Sequence, residues 1–262
     1  MNILVIGAGK MGGWMARLLS HEHQTAIMDS NPRKTNKLSG LLRLNDFQDI
    51  PEFAPDMIIN AVGLTSTLPV FRELLPVVSS QTILADMASV KNGLSHFYQN
   101  CGCPFVSVHP MFGPTFAHME ILRGENAIII EESDPAGKKF FEALFTKLNL
   151  NIHLMSFQQH DQSMADSLSV PFILSMLFAG SSVNQQIHPG TTWAKHMQIA
   201  KGLFSEDDTL LSEVLMNPPT LNKIEHLQEK LRHLKTAIEK SDNQSILNFI
   251  RKTRSNLLSP SG

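Results

Sequence analysis

The sequence predicts an α/β fold in which an N-terminal doubly wound domain is followed by an all-helical C-terminal domain. Short apolar runs alternate with helix-length segments up to about residue 156, as in a parallel sheet that is covered on both faces. Beyond that point the pattern is helical. At 262 residues the chain is long enough for two domains, and we place them at residues 1–156 and 157–262.

Seven apolar runs are the predicted strands of the first domain, and they lie at residues 3–6, 25–28, 57–62, 82–86, 105–108, 127–130 and 151–155. The second domain contains four predicted helices, at residues 158–183, 193–215, 221–238 and 242–257. These helices carry more apolar stripes than one small helical bundle could bury. The stripes are explained either by a homodimer that forms through these helices or by ordinary packing within the chain.

The first strand leads directly into a G-x-G-x-x-G segment that opens a helix, the arrangement of a Rossmann-type dinucleotide site. Gly7 permits the tight turn, Gly9 lets the backbone approach a pyrophosphate, and Gly12 lets the helix pack against the strand. Lys10 and Met11 belong to the first helical turn, where unpaired N–H groups attract phosphate. These five residues are the predicted pyrophosphate-binding set.

The residue at the end of the second strand indicates which dinucleotide is bound. Asp29 stands where a carboxylate accepts hydrogen bonds from the adenosine ribose and repels the 2′-phosphate of NADP, which favours NAD. Arg33 and Lys34 lie close by in sequence, either as solvated charges or as partners for that phosphate. Val62, which ends the third strand, is also assigned to the cofactor site.

Composition excludes several classes of function. A net charge of -2 gives no basic surplus for nucleic acid or an anionic membrane. Cys101 and Cys103 form neither a disulfide framework nor a zinc site, and the histidine spacings predict no metal. The longest apolar stretch, residues 170–180, is shorter than the roughly 20 residues of a membrane span. We therefore expect a soluble cytoplasmic protein, with no signal peptide.

Three further segments carry a family resemblance. They are D-M-A-S-V-K at 86–91, V-S-V-H-P-M-F-G-P-T at 106–115 and Q-H-D-Q-S-M-A at 159–165. In that order they resemble the prephenate dehydrogenase family, which includes arogenate dehydrogenases, and the likeness extends to L-F-S-E-D at 203–207. The resemblance implies that NAD+ takes a hydride from C4 of prephenate while the C4 hydroxyl loses a proton. Carbon dioxide then leaves, giving 4-hydroxyphenylpyruvate in tyrosine biosynthesis.

The same resemblance assigns the reacting residues. His109 matches the catalytic histidine, a base that must be neutral to accept the hydroxyl proton. Ser89 matches a serine that orients substrate and histidine beside the cofactor, and Thr115 is expected to line the substrate pocket. Structural alternatives exist: His109 could close a turn before Pro110, and Ser89 could cap a helix. Lys91 could be a surface charge or could order its loop.

The residues that would hold the substrate carboxylates depart from the family pattern. Many members have an arginine in the helix corresponding to residues 193–200, which contains none here. Lys195, His196 and Lys201 are the candidate replacements, of which Lys195 and His196 are the predicted substrate-binding residues, although lysine lacks the bidentate geometry of arginine. A partner subunit could also contribute a cation. His160 and Asp161 are interpreted as capping residues of the first helix of the second domain.

Three other functions remain open from the sequence. Arogenate dehydrogenase differs only in the side chain of the substrate. A non-catalytic, NAD-binding ligand sensor would keep the fold without the chemistry. Another two-domain NAD oxidoreductase would share the glycine loop and the helical domain, but it does not account for the H-P-M-F-G-P segment.

Overall fold

A computed structural model describes residues 1–112, 122, 124–181 and 189–258. The chain forms two compact units, Met1–Pro218 and Pro219–Gly262. The larger unit therefore continues past residue 156, and the division at 156/157 stays a prediction.

The described residues of the larger unit form one eight-stranded sheet in the order β3-β2-β1-β4-β5-β6-β7-β8. Its strands are β1 (Asn2–Ile6), β2 (Gln24–Met28), β3 (Leu42–Arg43), β4 (Met57–Asn60), β5 (Ile83–Asp86), β6 (Phe105–Pro110), β7 (Asn126–Ile130) and β8 (Asn151–Met155). All seven predicted strands are present. The two residues of β3 are both exposed and gave no apolar run to find.

One strand direction differs from the prediction. Every neighbouring pair is parallel except β6 and β7, which are antiparallel, with His109 opposite Ile128. An apolar run buried on both faces looks the same in either direction, so the sequence pattern did not encode this reversal.

Helices cover both faces of the sheet, which confirms the doubly wound architecture. They are α1 (Lys10–Leu19), α2 (Pro32–Thr35), α3 (Ile50–Phe53), α4 (Leu64–Leu74), α5 (Leu94–Asn100) and α6 (Pro135–Lys147). Alternate strand residues point to opposite cores: Ile3 and Val5 face α1 and α6, whereas Leu4 and Ile6 face α4 and α5.

The rest of the described chain is helical, as predicted, but more interrupted. Its helices are α7 (Phe157–Met164), α8 (Val170–Ser181), α9 (Thr191–Leu203), α10 (Asp208–Leu215), α11 (Thr220–Glu239) and α12 (Asn243–Leu258). A π-helical turn, Ala165–Ser169, joins α7 to α8. The predicted helix at 193–215 breaks before Asp207, whose carboxylate caps α10 by accepting the Thr209 N–H at 2.9 Å. Val183, the predicted end of the preceding helix, lies outside the described residues.

Two side chains fasten α7 and α10 to the sheet region. The Asp161 carboxylate accepts the backbone N–H of Lys91 at 2.9 Å. The Glu213 carboxylate accepts the backbone N–H groups of Leu64 and Thr65, at 3.1 and 2.6 Å, and so caps α4. These contacts explain why the compact unit extends to Pro218.

The continuous helical segment Phe157–Ser181 is long and apolar enough to cross a membrane, judged by length and composition alone. Core helices meet the same criterion. Only 17% of its most apolar window is buried, and Leu174 and Leu177 are 50% and 58% exposed. The expectation from the sequence rests only on the apolar stretch at residues 170–180, which is shorter than this helix. That the protein does not cross a membrane therefore stays a prediction.

The smaller unit is an antiparallel helical hairpin of α11 and α12. Ser241 adopts a left-handed conformation (φ 52°) in the turn between the helices. The Asp242 carboxylate accepts the Ser245 N–H at 3.0 Å and caps the second helix.

Candidate active site

The glycine turn between β1 and α1 has the geometry that a pyrophosphate site needs. Gly7 has φ +100°, and a Cβ there would lie 2.7 Å from the carbonyl oxygen of Ala61. A Cβ on Gly12 would overlap the carbonyl oxygen of Gly7. A Cβ on Gly9 would meet nothing within 4 Å, so this residue faces open space at the start of α1. The N-cap of α1 is Gly9, which has no side chain to cap the helix, and helix N-termini of this kind attract anionic ligands.

A cleft of about 490 Å³ opens beside this turn, at the carboxyl ends of β1, β2 and β4. Of the residues predicted to bind cofactor, Gly7, Gly9, Asp29 and Val62 line it, whereas Lys10, Met11, Gly12 and Ser89 do not. Sequence reasoning missed several lining residues, among them Ser30, Asn45, Asp46, Phe47, Ser66 and Glu73.

The Asp29 carboxylate is held at the floor of this cleft. It accepts the backbone N–H of Ala8 at 2.7 Å and that of Asn31 at 2.8 Å. Lys34 lies 3.8 Å away, so its ammonium is close enough to pair with this carboxylate. Asp29 therefore links the glycine turn to the end of β2, where an adenosine ribose would lie.

His109 lies near the carboxyl end of β6 and is only 6% exposed. Burial lowers its pKa well below the ordinary value, and the neighbouring His160 and the positive charge of Lys91 lower it further. The ring is therefore neutral near pH 7, as a proton acceptor must be. Its Nδ1 atom lies 3.1 Å from Nε2 of His160.

His160 and Asp161 do not cap their helix. The N-cap of α7 is Ser156, which forms a capping box with Gln159. His160 is fully buried and faces His109, and its Nδ1 lies 3.0 Å from Oδ1 of Asp161. Burial lowers the pKa of His160, and the Asp161 carboxylate opposes that effect. The capping interpretation of these two residues is wrong.

A fully buried ion pair supports the strand that carries His109. The Lys91 Nζ donates to Oδ1 of Asp86 at 2.6 Å and to the carbonyl oxygen of Val108 at 2.7 Å. The Tyr98 hydroxyl donates to Oδ2 of Asp86 at 2.8 Å. Burial lowers the pKa of Lys91, and the carboxylate of Asp86 partly offsets it. Of the two roles considered for Lys91, the structure shows that it orders its loop.

Ser89 lies in the loop between β5 and α5 and is partly buried. Within the described part of the chain its side chain makes no hydrogen bond, so it does not hydrogen-bond His109. It is not a helix cap either, because α5 begins at Leu94 with Gly93 as its N-cap. Its assigned role toward substrate stays a prediction.

The structure shows no bond from the remaining predicted substrate residues that it describes, Lys195 and His196, to His109. Thr115 lies outside the described residues. Lys195 and His196 are exposed on α9, and the His196 ring packs against Phe178 at 5.3 Å between ring centres. Neither side chain has a hydrogen bond or ion pair to His109 or Ser89 within the residues described.

Comparison with known proteins finds similarity to prephenate dehydrogenases, in sequence and in fold. Residues 16–144 match the model of the nucleotide-binding domain of prephenate dehydrogenases. The T-protein of Haemophilus influenzae is 24% identical over 267 aligned residues, and the alignment covers 96% of this chain and 66% of that protein. The chain thus spans just under two thirds of the length of this relative.

Solved structures share the fold over nearly the whole chain. Prephenate dehydrogenase from Aquifex aeolicus, in complex with hydroxyphenyl propionate and NAD+, has a TM-score of 0.83 at 19% identity, covering 98% of this chain and 97% of that one. Synechocystis arogenate dehydrogenase has a TM-score of 0.76 at 16% identity, covering 98% of each chain. Residues 16–144 thus resemble the nucleotide-binding domain of the prephenate dehydrogenase family, and the solved structures share the fold of the whole chain.

Proposed function

We propose that this protein catalyses the NAD-dependent oxidative decarboxylation of prephenate to 4-hydroxyphenylpyruvate. The observation that carries the proposal is a buried, neutral His109 near the carboxyl end of β6. Strands β1, β4, β5 and β6 are parallel neighbours, so their carboxyl ends share one edge of the sheet. Ligands of doubly wound folds bind along that edge.

The cleft beside the glycine turn suits NAD. Gly9 leaves room for a pyrophosphate, and the start of α1 presents the positive end of the helix dipole to it. The Asp29 carboxylate would accept hydrogen bonds from the ribose hydroxyls and would repel a 2′-phosphate. The Lys34 ammonium lies 3.8 Å from this carboxylate. The chemistry that bound NAD+ supplies is acceptance of a hydride.

In the proposed reaction His109 accepts the proton of the C4 hydroxyl as the hydride leaves C4. The bond between C1 and its carboxylate then breaks, carbon dioxide departs, and the electron pair completes the aromatic ring. The C4 oxygen, left as a phenolate, takes up a proton to give the hydroxyl of the product. His109 is neutral before the step and positively charged after it, so its depressed pKa makes it available as a base at neutral pH. Ser89 and Thr115 are proposed to orient the substrate in this step.

The two carboxylates of prephenate need cationic or hydrogen-bonding partners. We propose Lys195 and His196 of α9 as the groups that meet them, because both are exposed polar side chains and the helix has no arginine. Arogenate, in which an amine replaces the side-chain ketone, is the second candidate substrate. The fold likeness to an arogenate dehydrogenase favours testing it.

We also propose that the protein acts as a cytoplasmic homodimer. Leu174 and Leu177 on α8 and Ile199 on α9 are each at least half exposed within one chain. Apolar side chains of this size on neighbouring helices are typical of an interface between subunits. A second copy of the chain would remove this surface from water.

The proposal is tested by incubating purified protein with prephenate or arogenate, each with NAD+ or NADP+, and following the reduced cofactor and the aromatic product. We expect turnover of prephenate with NAD+ to exceed that of the other three combinations. Faster turnover of arogenate would make arogenate the substrate and leave the proposed class of reaction unchanged. No turnover with either substrate would refute the proposed enzymatic activity and favour a ligand sensor.

A further inference from the structure

Three side chains lie in a row behind the proposed catalytic base. His109 Nδ1 is 3.1 Å from His160 Nε2, and His160 Nδ1 is 3.0 Å from Asp161 Oδ1. His160 has no exposed surface, and the two rings are inclined at 65° with centres 5.3 Å apart. The row runs from β6 into α7, because strand alternation points His109 to the face of the sheet that α7 covers.

The chemistry of the last member assigns the protons along the row. An ionised carboxylate only accepts hydrogen bonds, so Nδ1 of His160 carries the proton between these two residues. A neutral His160 then has an unprotonated Nε2, which can only accept. Nδ1 of His109 must therefore donate, and a neutral His109 keeps its lone pair on Nε2.

We propose that His160 is a positioning residue that holds His109 in the Nδ1–H tautomer, so that Nε2 is the atom that accepts the substrate's hydroxyl proton. This inference rests on the function proposed above. Asp161 acts one step further away by fixing the tautomer of His160. The imidazolium that forms on His109 keeps its hydrogen bond to the acceptor nitrogen of His160 throughout the reaction.

The surroundings hold this row in one arrangement. Asp161 Oδ1 also accepts the backbone N–H of Lys91, and the backbone oxygen of Asp161 accepts from the Asn217 side chain at 2.8 Å. Among the residues that the structure describes, the other charged groups facing the two rings are Lys91 and its partner Asp86. The Lys91 charge disfavours a second cation here, which supports a neutral His160.

The tautomer is measured directly by NMR of protein labelled with ¹⁵N-histidine, without substrate or cofactor. The signals of His109 are assigned by their loss in His109→Asn. We expect the wild-type ring to be protonated on Nδ1 and bare on Nε2. A proton on Nε2 of His109 would overturn the proposal.

Two substitutions at the same position then separate positioning from packing. His160→Leu removes the acceptor, whereas His160→Gln places an amide oxygen near the former Nε2. We expect His160→Leu to lower kcat at least about 10-fold with KM within about 3-fold, and His109 to populate both tautomers. His160→Gln should recover most of the kcat and the Nδ1–H tautomer. His153→Leu, which removes an exposed histidine hydrogen-bonded to Asn126, is the matched control.

A His160→Leu variant with wild-type kcat and tautomer would also overturn the proposal. If that variant does not fold, the wild-type spectrum and His160→Gln still decide, because a Gln variant that loses the Nδ1–H tautomer contradicts an acceptor role. The tautomer is read without substrate. Absence of turnover with both substrates would therefore refute the proposed function, while the spectrum independently supports or overturns the arrangement of protons.

Discussion

Gly9 and Gly12 belong to one turn but have opposite surroundings. Gly9→Ala adds a methyl group where nothing lies within 4 Å, whereas Gly12→Ala drives one into the backbone of Gly7. We expect Gly12→Ala to lose about 3 kcal/mol of unfolding free energy, and Gly9→Ala to lose less than about 0.5 kcal/mol. Urea unfolding followed by circular dichroism measures both.

The same pair separates folding from cofactor binding. Since the backbone at Gly9 is proposed to approach the pyrophosphate, Gly9→Ala should weaken NAD binding at least about 10-fold while the protein stays folded. Calorimetric titration with NAD+ gives this value. Wild-type affinity in Gly9→Ala would show that the phosphates bind elsewhere.

His109 also makes stability depend on pH. An unfolded histidine titrates near 6.5, whereas burial holds the folded pKa of His109 well below that value. As the pH falls below about 6.5, His109 binds a proton in the unfolded chain but stays neutral in the folded protein. Stability is therefore lost from that pH down to the folded pKa, by up to about 1.4 kcal/mol per pH unit.

His109→Gln removes this contribution, so its unfolding free energy should fall less steeply than that of the wild type between pH 6.5 and 5. Urea unfolding at half-unit intervals of pH provides the two slopes. Identical slopes would mean that His109 accepts a proton in the folded protein as readily as in the unfolded one.

At the scale of secondary-structure elements, the ion pair between Lys91 and Asp86 ties the loop after β5 to β6. Lys91→Met would leave the carboxylate of Asp86 buried without a cation, since both side chains are fully buried. We expect a loss of about 3–5 kcal/mol in unfolding free energy. Adding Asp86→Asn should recover part of that loss, because no unpaired charge then remains buried.

Urea unfolding of the single and double variants tests this prediction, with Lys147→Met as the control. Lys147 pairs with Glu22 on the surface, where water screens the charges, so its loss should change stability little. If Lys91→Met is no more damaging than Lys147→Met, the buried pair does not hold the loop.

The elements that could be predicted from the sequence are those determined by neighbouring residues. Continuous apolar runs marked β1 and β6, and the residues that follow them placed Gly7 and His109 at strand ends. The partner of His109 was not local. His160 meets it only because α7 packs on the face to which β6 points this ring, and 51 residues separate the two histidines.

The loop after β5 shows the same limit. Lys91 is a charged residue in a turn, which by itself is typical of the surface. Its burial follows from two partners on different elements, Asp86 at the end of β5 and the carbonyl oxygen of Val108 on β6. Sequence spacing alone could not decide between a solvated and a structural lysine.

At the scale of the whole molecule, the exposed apolar surface of α8 and α9 bears on the assembly. Leu177→Asp would place a charge in the proposed subunit interface, so we expect it to convert a dimer into a monomer. Sedimentation velocity measures the change. Leu154→Asp, at a similarly exposed leucine on β8, is the control and should leave the dimer intact. A wild-type monomer would contradict the proposed assembly.

The role of His109 as the base in the proposed oxidation of prephenate is measured by comparing wild type and His109→Asn for turnover of prephenate with NAD+ and for NAD binding. If His109 is the base, turnover falls at least about 100-fold in His109→Asn while the NAD dissociation constant stays within about 3-fold. Undiminished turnover in His109→Asn would contradict this role.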